Sequence, residues 1–213
     1  MKRIRVLLAD DHRVLREGLK VLLEALEGVE IVGEAAEGRE AVQRALDLRP
    51  DVVLMDVEMP GLNGIEAARL LCEKWPEARI VMLSMHSSSE HVYRALEAGA
   101  LGYLLKESAG GEVRAAVQAA HAGRRYVTGS LRYAVPAPQG KRRASPIQRL
   151  SPREREVLQL VVEGKTSAEI ARVMLLSPKT VDTYRSRLMV KLGVRDVPAL
   201  VKLAILHGIT SPQ

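Results

Sequence analysis

The chain has 213 residues, 47% of them apolar, which suffices for one large domain or two small ones with buried cores. Its single cysteine, Cys72, excludes an intrachain disulfide, no His/Cys run has metal-ligand spacing, and no apolar run approaches the ~20 residues of a membrane span. The net charge of +6 is uneven: residues 1–126 hold 17 Lys/Arg against 20 Asp/Glu, a balance of −3, whereas residues 127–213 hold 15 against 6, a balance of +9. Such a split is expected where one half meets an anionic polymer, although a solvated basic surface gives the same count. Met1-Lys2-Arg3 leads into only six residues before Asp10 and Asp11, which does not resemble a signal peptide. The expectation is a soluble, cytoplasmic protein with no membrane partner.

The first half alternates short apolar runs with helical patterns. Strands are predicted at Ile4–Ala9, Glu30–Glu34, Val52–Met55, Ile80–Leu83 and Gly102–Leu105, several nearly continuous in Val, Ile and Leu, as strands covered on both faces should be. Helices are predicted near 13–26, 38–47, 63–74, 88–98 and 108–122. Asn63 with Glu66, and Ser87 with Glu90, have capping-box spacing. Five strands alternating with five helices indicate an open parallel sheet covered by helices on both faces.

From about Val127 to Arg149 the periodicity is lost, and Pro136, Pro138, Gly140 and Lys141-Arg142-Arg143 read as a flexible basic linker. The last segment is helical. Ser151-Pro152-Arg153-Glu154 and Thr166-Ser167-Ala168-Glu169 are N-terminal capping signals, Ser177-Pro178 starts a third helix and Asp196 a fourth. Helix 166–173, a turn at 174–176 and helix 177–192 form the layout of a helix-turn-helix. The predicted organisation is a domain over 1–126, a linker over 127–147 and a second domain over 148–213.

The charged residues fall in a telling place. Asp10 and Asp11 follow the first strand, Asp56 the third, Ser84 the fourth and Lys106 the fifth, so all five lie at the carboxyl edge of the sheet, where open α/β folds place their sites. Crowded carboxylates repel one another unless a cation joins them, and Mg²⁺ suits such all-oxygen ligands. With a mobile ammonium and a hydroxyl donor, this constellation suits phosphoryl transfer to a carboxylate.

On the last-but-one helix, stepping about 100° per residue, Val181, Leu188 and Leu192 define a buried side. Lys179, Asp182, Thr183 and Ser186 lie opposite, near the helix N-terminus, where a recognition helix touches base edges. Arg187 and Lys191 occupy one flank and Arg185 the other, positions suited to phosphate contact. A solvated amphipathic helix presents the same pattern. Asp182 beside DNA must find a cytosine amino group or be repelled.

Residues 1–123 resemble a bacterial two-component receiver domain. The resemblance rests on Leu8-Ala9-Asp10-Asp11-His12, Asp51-Val52-Val53-Leu54-Met55-Asp56-Val57-Glu58-Met59-Pro60-Gly61, Leu83-Ser84 and Gly102-Tyr103-Leu104-Leu105-Lys106. It implies a flavodoxin-like α/β fold with strand order 2-1-3-4-5. Asp56 would accept phosphate from a sensor histidine kinase, and Asp10, Asp11, Asp56 and the Glu58 backbone carbonyl would arrange Mg²⁺. Lys106 would pair with the phosphoryl group, Ser84 would hydrogen-bond it, and Tyr103 would swing inward. Ser84 stands where threonine is commoner, and Glu107 where many receivers have proline.

Residues 148–209 resemble the small all-α, four-helix output domain of LuxR/NarL-family regulators. The matching pieces are Leu150-Ser151-Pro152-Arg153-Glu154-Arg155-Glu156-Val157-Leu158, Ile170-Ala171, Ser177-Pro178-Lys179-Thr180-Val181-Asp182 and Lys191-Leu192-Gly193-Val194. The family's base contacts would fall at Asp182, Thr183 and Ser186, and Tyr184 replaces a common histidine. The last helix, about 196–207, would pair two output domains through Val197, Leu200, Val201 and Ile205. Phosphorylation would then favour a homodimer whose recognition helices enter successive major grooves, ~34 Å apart, on an inverted repeat of double-stranded DNA. Two readings compete: a DNA binder whose receiver is never phosphorylated, and an aspartyl-phosphate hydrolase with Glu58 as general acid.

Overall fold

The computed structural model describes residues 3–129, 131 and 146–206. The chain forms two compact units, 1–137 and 138–213. The basic run 141–143, Pro136, Pro138, Gly140 and the end of the last predicted helix at His207 lie outside the described residues.

The first unit is a parallel sheet in the order β2-β1-β3-β4-β5-β6. Its strands are β1 (Ile4–Ala9), β2 (Val29–Ala35), β3 (Val52–Asp56), β4 (Ile80–Ser84), β5 (Gly102–Leu105) and β6 (Tyr126–Val127). The helices are α1 (Arg13–Glu24), α2 (Gly38–Leu48), α3 (Gly64–Lys74), α4 (Ser89–Glu97) and α5 (Ala109–His121). Every residue of β3 and β4 is buried, because the sheet separates two apolar cores. Leu7, Met55, Met82 and Tyr103 point into one core, and Val6, Leu54, Val81 and Leu104 into the other. Alternation along a strand would leave one face polar; here both faces must be apolar, hence the continuous runs.

Three expectations are corrected. Strands β3 and β4 each run one residue further than predicted, so Asp56 and Ser84 are their last residues rather than the first beyond them. The α4 cap is Ser88, not Ser87: its side chain accepts from the His91 N–H, and its hydroxyl also lies 2.6 Å from His91 Nδ1. The sheet has a sixth strand, with Tyr103 paired to Val127 inside the segment read as linker. It is held by the Leu105 N–H donating to Thr128 Oγ1 (3.0 Å) and by burial of Leu131.

Asn63 caps α3 as predicted, accepting from the Glu66 N–H at 3.0 Å. The next residue must be glycine, since a Cβ on Gly64 would stand 1.8 Å from the Asp56 carbonyl oxygen. That close approach seats the start of α3 directly against the end of β3.

Among its described residues the second unit holds a 3-10 turn (Pro146–Arg149) and four helices: α6 (Pro152–Val162), α7 (Ser167–Met174), α8 (Pro178–Leu192) and α9 (Val197–Leu206). Ser151 with Glu154 and Thr166 with Glu169 form reciprocal capping boxes at α6 and α7. Each satisfies two backbone donors that a helix start leaves orphaned. Leu158, Ile170, Val181, Leu188 and Ala204 close one core. Leu175, at φ 55° and 91% exposed, makes the turn between α7 and α8.

Candidate phosphoacceptor pocket and DNA-reading helix

Parallel register brings the strand ends level: Ala9 pairs with Met55, Asp56 with Leu83 and Ser84 with Leu105. Asp10, Asp56, Ser84 and Lys106 therefore meet at one edge. Lys106 Nζ lies 2.7 Å from Asp56 Oδ2 and 2.9 Å from Asp10 Oδ2, with both carboxylates fully buried. The Glu58 N–H donates to Asp56 Oδ1 (3.2 Å) and the His12 N–H to Asp10 Oδ1 (2.8 Å).

Burial pushes the Asp56 carboxyl up to about 7, with Asp10 adding to the rise and the Lys106 ammonium opposing it. Burial alone would lower the Lys106 ammonium, but Asp56 and Asp10 outweigh it and hold that group above its ordinary value. Ligand atoms of Asp10, Asp11, His12 and Asp56 lie within 4.8 Å of one another. Asp10 Oδ2 has Lys106 as ion-pair partner but receives no hydrogen bond of good direction. The carboxylate oxygens of Asp10, Asp11 and Asp56 within this cluster fit a hard divalent cation.

Tyr103 is fully buried, and its hydroxyl donates to the His86 carbonyl oxygen at 2.8 Å. Its side chain therefore points into the core. Burial pushes the Tyr103 hydroxyl above its ordinary pKa, against the opposing effect of Ser84. The Ser84 hydroxyl accepts from the His86 N–H at 3.0 Å.

His86 escaped the sequence reading. Its Nε2 lies 2.9 Å from Glu58 Oε1, and its ring stacks on His91 at 4.4 Å between centroids. Nothing in a loop histidine two residues after a strand announces such a role. His12 was the more legible omission, because it directly follows the acid pair; its Nδ1 lies 2.8 Å from Asp11 Oδ1.

On α8, Val181, Leu188 and Leu192 are buried as predicted, while Lys179, Asp182, Thr183, Ser186 and Arg187 are exposed. The flanks also carry internal bonds. Lys191 Nζ pairs with Glu154 Oε2 at 2.7 Å, tying the end of α8 to the start of α6. Arg185 is half-buried and donates through Nη1 to Ser167 Oγ at 2.9 Å, also an internal engagement. Of the four residues expected to form the pairing seam on α9, Leu200 is 1% exposed and belongs to the core of the second unit. Val197, Val201 and Ile205 line an apolar groove with Pro198 and Lys202.

A carboxylate–ammonium pocket at the edge of a parallel sheet, followed by a helix-turn-helix, defines the class: a receiver module joined to a DNA-binding output module. Family models agree in both halves. Residues 6–118 match the response regulator receiver domain, and residues 148–204 match the bacterial regulatory proteins of the luxR family. The chain belongs to the response regulators that join these two domains.

It is 36% identical over 209 residues to the transcriptional regulatory protein MctR of Rhizobium johnstonii, covering 98% of this chain and 96% of that protein. It is 36% identical over 212 residues to the response regulator UvrY of Escherichia coli, covering 99% and 97%. Among solved structures, the response regulator RcsB in complex with DNA superposes with a TM-score of 0.60 at 29% identity, covering 98% and 100%. MctR is named a transcriptional regulatory protein, and UvrY and RcsB are named response regulators. Among the described residues no helix is long and apolar enough to cross a membrane.

Proposed function

We infer that this protein is a cytoplasmic regulator of transcription switched by phosphorylation of Asp56. The observation that carries the reading is the ammonium of Lys106 held between Asp10 and Asp56 at the sheet edge, on a chain that also carries a helix-turn-helix. A sensor histidine kinase supplies the phosphoryl group: the P–N bond of a phosphohistidine breaks as a P–O bond forms to an Asp56 carboxylate oxygen. Asp10, Asp11, Asp56 and the Glu58 backbone carbonyl would hold Mg²⁺, which would supply charge neutralisation at the transferring group. Asp10 Oδ2, buried and without a well-directed donor, supports that fit.

Lys106 then moves its ion pair from the carboxylate to the new phosphoryl oxygens, and Ser84 Oγ–H donates to another. Tyr103 already lies inward, so phosphorylation acts by populating this arrangement more fully rather than by creating it. The output is a homodimer on double-stranded DNA with inverted-repeat symmetry. Asp182, Thr183 and Ser186 face the base edges, Lys179 and Arg187 meet phosphate, and Val197, Val201 and Ile205 form the seam between copies.

The test is DNA affinity and molecular mass measured with Mg²⁺, with and without beryllofluoride, which mimics the phosphoryl group. Tighter binding together with dimerisation is expected, and Asp56→Asn removes both. Unchanged binding with beryllofluoride seated in the pocket would instead leave the output domain uncoupled from the receiver.

A further inference from the structure

Ser167 is the first residue of α7 and so belongs to the scaffold helix of the helix-turn-helix, not to the reading helix. Its hydroxyl nevertheless joins two α8 side chains. It donates to Asp182 Oδ1 at 2.6 Å and accepts from Arg185 Nη1 at 2.9 Å. Asp182 and Arg185 are three residues apart, hence neighbours on one side of α8. A distance of 2.6 Å is that of a charge-assisted O–H···O⁻ bond, the stronger kind.

This arrangement resolves the difficulty of an acid facing DNA. A loose carboxylate near phosphates would turn away from them. Asp182 is instead fixed by one oxygen, with the Arg185 guanidinium offsetting its charge through the shared hydroxyl. The second oxygen, Oδ2, receives no hydrogen bond from the described residues, and Asp182 is exposed. An ionised carboxylate only accepts. In the major groove the only donors on base edges are the exocyclic amino groups of cytosine and adenine, and carboxylates pair with cytosine N4.

We propose that Ser167 is a specificity-determining positioning residue: by holding Asp182 against Arg185, it makes α8 select a cytosine amino group at one position of each half-site. The inference rests on the DNA-reading function inferred above. Ser167 itself touches no base, and Thr166, not Ser167, caps α7, so its removal leaves the helix start intact.

The test uses the full chain with Mg²⁺ and beryllofluoride, and a pool of duplexes randomised across one half-site and sequenced after selection. The wild type should show one position strongly biased to cytosine, and Asp182→Ala should erase that bias. Ser167→Ala should weaken the preference at that position about tenfold while leaving the other positions alone, and Ser167→Thr, which keeps the hydroxyl, should restore it. Binding to a fixed non-specific duplex should keep its salt dependence in Ser167→Ala. Uniform weakening on all sequences, with a salt slope reduced by about one, would make Ser167 a phosphate contact and overturn the inference. So would a Ser167→Ala pool identical to that of the wild type. A wild-type pool without any sequence preference would overturn the DNA-reading function itself, and the inference with it.

Discussion

The Lys106 ammonium stands 2.7 Å from Asp56 Oδ2, an ion pair that joins the ends of β5 and β3 across β4. The same nitrogen serves Asp10, so two buried carboxylates share one cation. Removing it leaves uncompensated buried charge, which costs about 3–5 kcal/mol when a buried pair is broken from one side. Lys106→Met is therefore expected to destabilise the receiver by about 3 kcal/mol without metal, with millimolar Mg²⁺ returning more stability to the variant than to the wild type. Urea unfolding followed by the fluorescence of Trp75, the chain's single tryptophan, reads the receiver alone. A loss below about 1 kcal/mol would mean that the carboxylates are neutralised in another way.

In the second unit the corresponding link is Glu154, whose carboxylate accepts from the Ser151 N–H and from Lys191. Burial raises its pKa, but Lys191 and Ser151 together outweigh that and hold the group below the ordinary carboxylate value. A depressed folded-state pKa contributes stability that is complete above the unfolded value and is lost as pH falls through the folded one. The α6–α8 contact should therefore weaken only below about pH 4.5, and Glu154→Gln should lose about 2 kcal/mol at neutral pH and flatten the acid response. Hydrogen exchange of the α8 amides, followed from pH 7 to pH 4, checks both parts.

The positions of these two networks explain what the sequence discloses and what it does not. Asp10, Asp56, Ser84 and Lys106 were legible because each closes an apolar run and parallel register brings strand ends level. The caps Asn63, Ser151, Thr166 and Ser177 were legible because capping is local. Ser87 and Ser88 offer the same hydroxyl, and it is Ser88 that bonds both the His91 N–H and the His91 ring. Strand β6 is two residues long and depends on Thr128 reaching back to Leu105, 23 residues earlier. Lys191 and Glu154 are 37 residues apart, and Ser167 and Arg185 are 18 apart, so helix periodicity places each side chain on a face without revealing its partner.

Tyr103 tests whether the inward side chain transmits the switch or merely fills the core. Its ring lies in the apolar cluster beside Met82 and Val92, while its hydroxyl holds the His86 carbonyl oxygen. Tyr103→Phe keeps the first contribution and removes the second, at a stability cost of about 1 kcal/mol. Beryllofluoride should still bind with nearly wild-type affinity, because the hydroxyl touches none of the carboxylates. The gain in DNA affinity that beryllofluoride produces should shrink about fivefold or more, the size of a typical coupling free energy. Titrating both ligands against wild type and variant separates these outcomes; an unaltered gain would assign the coupling to other residues.

On α9, Leu200 lies in the core while Val197, Val201 and Ile205 line a groove, a division that separates stability from the proposed assembly. Leu200 packs in the core of the second unit, so Leu200→Ala creates a cavity and should cost about 2–5 kcal/mol. Val201, the next residue, turns toward the groove with Val197 and Ile205 and is only half-buried. Val201→Asp should change the unfolding free energy of the monomer by no more than about 1 kcal/mol. It should nevertheless prevent pairing, because an isologous seam places the same charge twice, facing its own copy across the two-fold axis. Sedimentation of the beryllofluoride-loaded protein with and without DNA reads the assembly, and denaturant titration reads the fold. Dimers that survive Val201→Asp would move the seam away from α9, whereas a large stability loss in that variant would return Val201 to the core with Leu200.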